Sequence, residues 1–144
     1  MKKTAIGGAL VVVALLIGFG VYLQSMEKGG ASADPEIVSL KGLHWHADLA
    51  IVVKGSPVVI PANVGLEGGH NPIHTHDGEP NIIHMEFPGI VRVDDLKLGE
   101  FFRIWKKEMR SFGNNMKMTV NGVENTEFEN YHMKDKDKIV LSFD

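Results

Sequence analysis

Residues 4–23 (TAIGGALVVVALLIGFGVYL) carry no charged side chain and follow directly on Lys2 and Lys3. In a helix, at about 1.5 Å per residue, a run of this length spans about the 30 Å hydrocarbon thickness of a bilayer. A cleavable signal peptide is the competing expectation. Its apolar core would be about 7–15 residues long, with a small-x-small cleavage site close behind it. Ala31-Ser32-Ala33 has that chemistry but lies well beyond Leu23, so an uncleaved anchor is the favoured expectation, with a secreted form arising if the chain is cut after Ala33. Lys2 and Lys3 place the short flank in the cytoplasm. The protein is thus expected in the cytoplasmic membrane as a single-pass chain, N-terminus inside and C-terminal domain extracytoplasmic. No Cys follows the run, which excludes attachment as a diacylated lipoprotein.

The anchor, residues 1–23, leaves little chain for a folded body. Residues 24–35 (QSMEKGGASADP) are small, polar and Gly-containing, the composition of a flexible tether. Residues 36–144 then form one domain, with 16 Asp and Glu against 12 Lys and Arg. The whole chain has a net charge of −3. There is no cationic excess to grip phosphate, and a nucleic acid partner is not expected.

Zero Cys against seven His is the most informative pair of counts. A disulfide framework, a zinc ribbon, an iron–sulfur cluster and a Cys nucleophile are all excluded, so metal chemistry must use imidazole, carboxylate or thioether.

The apolar pattern of the domain reads as strands, one helix, then strands. Residues 44–54 and 58–60 form a hairpin about Gly55-Ser56-Pro57, and residues 62–80 a long Gly- and Pro-punctuated loop. Residues 81–87 form a strand, which residues 90–93 extend. Leu98, Phe101, Phe102, Trp105 and Met109 recur at three- and four-residue spacing, which predicts a helix over residues 96–110, capped by Asp94 or Asp95 and ended by Ser111-Phe112-Gly113. Residues 116–123, with Asn121-Gly122 as a tight turn, and residues 138–143 complete the strands. The expected fold class is α+β: a small mixed sheet with one amphipathic helix packed on it. Residues 121–143 (NGVENTEFENYHMKDKDKIVLSF) resemble the closing strands of β-grasp, ubiquitin-like domains, in which a turn and a D-x-D corner precede the last strand.

Six of the seven His lie between residues 44 and 84. His44 and His46 fall on a strand, where period-two geometry sends both imidazoles to one face. His74 and His76 repeat the spacing in the loop, and His84 shares a strand face with Glu86. These five His are the candidate metal ligands. Asp77 and Glu86 are further ligands or carboxylates that orient ligating imidazoles. His70 reads as a solvated loop residue, and His132 lies apart.

The blocks His44-Trp45-His46-Ala47, Ile73-His74-Thr75-His76-Asp77, Ile82-Ile83-His84-Met85-Glu86 and Leu98-Gly99-Glu100-Phe101-Phe102-Arg103-Ile104-Trp105 resemble a group of membrane-anchored extracytoplasmic prokaryotic proteins. These share H-x-H-A, I-H-T-H-D, I-I-H-x-E and L-G-x-F-F-x-I-W in the same order. The resemblance implies the anchor topology and supports the His site; it implies no particular activity. The chain departs from that pattern at Lys97, where a hydroxyl residue would cap the helix better, and in the inserted Glu79-Pro80-Asn81. Neither departure is expected to touch a ligand.

An imidazole-rich site suits copper, zinc, iron or nickel better than calcium or magnesium, and copper(II) heads the divalent affinity order. Copper is ranked first and zinc second. Met85, Met109, Met116, Met118 and Met133 are available as thioether donors to copper(I), although Met109 belongs to the helix stripe and Met commonly fills core gaps. The leading expectation is a non-catalytic module that sequesters, carries or senses the metal. The alternatives are a zinc- or copper-dependent enzyme using three His with Glu86 or Asp77 as base, and a docking module for an unidentified membrane-protein partner.

Overall fold

Alternation organises residues 36–144, the part of the chain that the structure, a computed structural model, describes. In the longest strand, β2 (Leu43–Val53), Ala47, Leu49 and Ile51 are at most 1% exposed, while His44 and Asp48, on the alternate positions, face out. The same two-residue period runs through β5 (Ile82–Phe87), β7 (Lys117–Val120) and β9 (Lys138–Phe143), which bury Ile83 and Met85, Met118 and Val120, and Ile139, Leu141 and Phe143. Each such side chain stabilises the fold by about 1.5–3 kcal/mol on burial. One apolar face against one polar face is what makes these segments a sheet.

Among the described residues nine strands form two sheets. The small one pairs β1 (Ile37–Ser39) with β6 (Val91–Arg92). The large one runs β4 (Ile73–His74), β5, β2, β9, β7, β8 (Val123–Glu124), with β3 (Ser56–Val58) also on β2. At its centre β2 and β9 are parallel; the other pairs are antiparallel. Both hairpin turns use two left-handed residues, Lys54-Gly55 (φ 50° and 80°) and Asn121-Gly122 (φ 53° and 82°), the geometry that suits the twist of paired strands.

The helix is shorter than the periodicity predicts. Helix α1 is Leu98–Trp105, preceded by a 3-10 turn over Val93–Leu96 that contains Asp94 and Asp95. Neither Asp caps it: Lys97 holds the N-cap position with no side-chain cap bond and pairs its ammonium with Asp94 at 2.8 Å. At the other end Lys106 turns left-handed (φ 58°), and Met109 falls in a separate 3-10 turn, Met109–Phe112. That reversal brings Phe112 back against Phe102, Trp105 and Phe143, with ring centroids 5.7–6.3 Å apart. Eight residues are too few for an isolated helix; burial of Leu98, Phe101 and Phe102 holds it.

The long loop is also less irregular than expected, because it contains β4. Met85, Met109, Met118 and Met133 are at most 3% exposed and Met116 packs against the core, so the thioethers fill space. Among the described residues no helix is long and apolar enough to cross a membrane. The expected anchor and tether lie outside them.

One buried polar knot closes the sheet. Asp137, 4% exposed, accepts hydrogen bonds from the Tyr131 hydroxyl (2.7 Å), the Asn121 side-chain amide (2.9 Å) and the Lys134 backbone N–H (2.8 Å). Burial first, and then Asp137, raise the Tyr131 phenol above its usual range. Tyr131→Phe removes one of three donors to a buried carboxylate and is expected to cost about 1–3 kcal/mol in urea denaturation at pH 7. The folded state favours the protonated phenol, so the stability it contributes is present below about pH 10, where the unfolded Tyr titrates, and declines above it. The wild type should therefore lose stability more steeply than the Phe variant between about pH 10 and 11.

Candidate metal centre

The register of three neighbouring strands brings the histidines together. His46 of β2 lies opposite His84 of β5, His84 lies opposite His74 of β4, and His44 lies opposite Glu86. On the opposite face of β5, Met85 lies between Trp45 and Ile73, turned to the core. His44, His46, His74, His84 and Glu86 consequently share the sheet face away from the core, and His76 extends the row from β4.

Backbone bonds hold β4 in place. Thr75, 2% exposed, donates its hydroxyl hydrogen to the Pro61 carbonyl (2.8 Å) and accepts the Val64 N–H on the same oxygen (3.1 Å). The Glu86 N–H donates to the Pro72 carbonyl at 2.7 Å. On the β2 side, Asp135 accepts the His46 N–H (3.1 Å) and the Lys136 N–H donates to the His46 carbonyl (2.6 Å). The D-x-D corner therefore braces one histidine strand directly.

His74 is fully buried, and its Nδ1 lies 2.9 Å from the Asn71 carbonyl. A carbonyl can only accept, so Nδ1 carries the proton and the Nε2 lone pair of the neutral ring is the one that accepts, from His76 in the metal-free protein, and that a metal ion would use. That Nε2 lies 3.0 Å from His76 Nε2. On the other side, His44 Nε2 lies 3.2 Å from His46 Nε2 and 3.1 Å from a Glu86 oxygen.

His84 stands between the two pairs. Its ring packs edge-on against His46 and His76, with centroids 4.6 Å away in each case. Both of its nitrogens are shut off from solvent without a hydrogen bond. The Glu79 carboxylate lies 2.9 Å from Nε2 and the Glu86 carboxylate 3.7 Å from Nδ1. Burial holds the pKa values of His74 and His84 below the usual imidazole value, and neighbouring His46 and His76 lower that of His84 further. Both rings are therefore neutral near pH 7, the form that binds metal.

Two sets of donors converge. The ligand atoms of His74, His76, His84 and Glu86 lie within 4.8 Å of one another, as do those of His44, His46 and His84. Either set can hold a metal ion. Asp77 is in neither: it is exposed and accepts a hydrogen bond from Asn63 at 3.1 Å.

Two residues gain a place that the sequence reading does not assign. His70 packs its ring edge-on against His74 at 4.4 Å. Glu79, from the inserted tripeptide expected to touch no ligand, lies against His84; the turn that returns the chain into β5, with Ile82 N–H on the Glu79 carbonyl, puts it there. An acidic residue shortly before a strand His was the available signal. His132 lies beside Asp94 and belongs to neither set.

Comparison with known proteins gives no match: no family model fits the chain, and no curated protein or solved structure is similar to it.

A buried ring whose nitrogens make no hydrogen bond destabilises the metal-free fold. His84→Leu, of similar size and without polar atoms, is expected to raise metal-free stability by about 1–3 kcal/mol, measured by urea denaturation with chelator present. A less stable variant would contradict the assignment of His84 as a strained polar group. Gly65 has a φ of +82°, and a Cβ there would meet the Ile73 carbonyl oxygen at 2.7 Å. Gly65→Ala is expected to displace β4, costing more than about 1 kcal/mol and weakening metal binding, read by thermal melting and metal titration.

Proposed function

We propose that the chain is a membrane-anchored, extracytoplasmic metal-binding protein that holds copper in preference to zinc and serves in its sequestration, delivery or sensing. The observation that carries metal binding is the convergence of the ligand atoms of His74, His76, His84 and Glu86, with the His84 nitrogens buried and making no hydrogen bond. Neutral nitrogen donors favour copper and zinc, and the affinity order favours copper(II). Burial of the Met sulfurs in the core removes the support for a thioether site for copper(I). Four donors fill a tetrahedral shell, whereas a catalytic zinc keeps one position open. That favours holding over hydrolysis.

The exposed His44 side chain, 62% accessible, gives the cluster a solvent-facing side through which an ion can enter or be passed on. Strand order β5-β2-β9-β7-β8, with first and last long strands parallel at the centre and the helix between two hairpins, supports a β-grasp arrangement. The uncharged run at residues 4–23 and the resemblance of the His and helix blocks to those of membrane-anchored extracytoplasmic proteins support the location.

The test is elemental analysis with EPR on the full chain, purified in detergent without chelator and supplied with copper(II) or zinc. We expect a stoichiometric load, a nitrogen-dominated copper(II) signal, and preference for copper when both ions compete. Replacing His74 and His76 by Ala is expected to lower the load. A wild-type chain that stays metal-free would sink the proposal.

A further inference from the structure

We infer that the cluster is built for two metal ions, one between His74 and His76 and one between His44 and His46, with the His84 ring shared between them. This rests on the metal-binding reading above and extends it to a second site.

Bite distance is the first argument. Metal–imidazole bonds of about 2.0–2.1 Å put neighbouring donors on one ion about 2.9–3.3 Å apart and opposite donors no more than about 4.2 Å apart. The Nε2 atoms of His74 and His76 (3.0 Å) and of His44 and His46 (3.2 Å) each already have the spacing of neighbouring donors. The five imidazoles do not make one set, however. They fall into two groups that have only His84 in common.

The second argument is His84 itself. A histidine that served one ion would use one nitrogen and satisfy the other with a hydrogen bond, as His74 does through Asn71. His84 has no such bond at either nitrogen, and its side chain is 6% exposed. Its Nδ1 faces a Glu86 oxygen (3.7 Å) that also lies 3.1 Å from His44 Nε2. Its Nε2 faces the other way, towards Glu79 on the loop that follows His76. Both groups of donors close on this one ring, neither nitrogen of which makes a hydrogen bond. When both ions bind, the ring gives its remaining N–H proton to solvent and offers a lone pair at each nitrogen. Glu86 is placed to donate to either ion, and its charge offsets part of the added positive charge.

The experiment is copper(II) titration of the metal-free full chain, followed by elemental analysis and EPR spin counting. We expect two copper ions per chain and a spin count well below two, because copper(II) ions joined through one ring couple magnetically. The wild-type count needs no variant. The double variant H44A/H46A is expected to bind one copper with a full mononuclear signal, and H74A/H76A likewise. One ion in the wild type, unchanged by H44A/H46A, overturns the second site and leaves the metal-binding proposal standing. Two ions with a full two-spin signal overturn the shared ring. A chain that binds no copper or zinc overturns both readings.

Discussion

The antiparallel register of β4, β5 and β2 is the constraint on which the rest of the molecule depends. It sets His74, His84 and His46 abreast on one face and, by the same pairing, Ile73, Met85 and Trp45 abreast on the other. A slip of one residue would turn the imidazoles into the core and the apolar side chains out to solvent. Burial of Ile73, Ile83 and Met85, none more than 1% exposed, penalises that slip by several kcal/mol. The hydrophobic face therefore positions the polar one. No contact between histidines is needed to align them.

That arrangement lets the fold carry a group that opposes folding. His74 and His84 are buried and neutral, and His84 has neither solvent nor a hydrogen bond. A domain of this size is stabilised by only about 5–15 kcal/mol in total, so such a group persists only where the surrounding structure holds it. Here the parallel β2–β9 pair, the Asp137 knot and the Thr75 bonds supply that rigidity. An ion entering the cluster would give the buried nitrogens the partners that the protein does not, which couples metal binding to stability.

Local pattern was enough wherever a segment's structure depends on its own residues. The two-residue period of β2, β5 and β9 was legible, and so were the Asn121-Gly122 turn and the pairing of His44 with His46 and of His84 with Glu86 on common faces. The helix was legible in its apolar stripe but not in its length, because Lys106 turns left-handed to bring Phe112 onto Phe102, a contact between residues on separate elements. Strand β4 was hidden because two residues carry no periodicity; it exists only by pairing with β5.

The candidate site divides along the same line. By itself the sequence determined the donor chemistry, nitrogen and carboxylate without thiolate, and which side chains of each strand share a face, since both follow from residue type and backbone geometry. Tertiary structure alone decided that the imidazoles form two groups around His84, that Glu79 belongs beside them while Asp77 does not, and that the sulfurs of Met85, Met109, Met118 and Met133 are spent on the core. Those outcomes depend on strand order, register and the path of a loop, which are settled by burial between segments far apart in the chain.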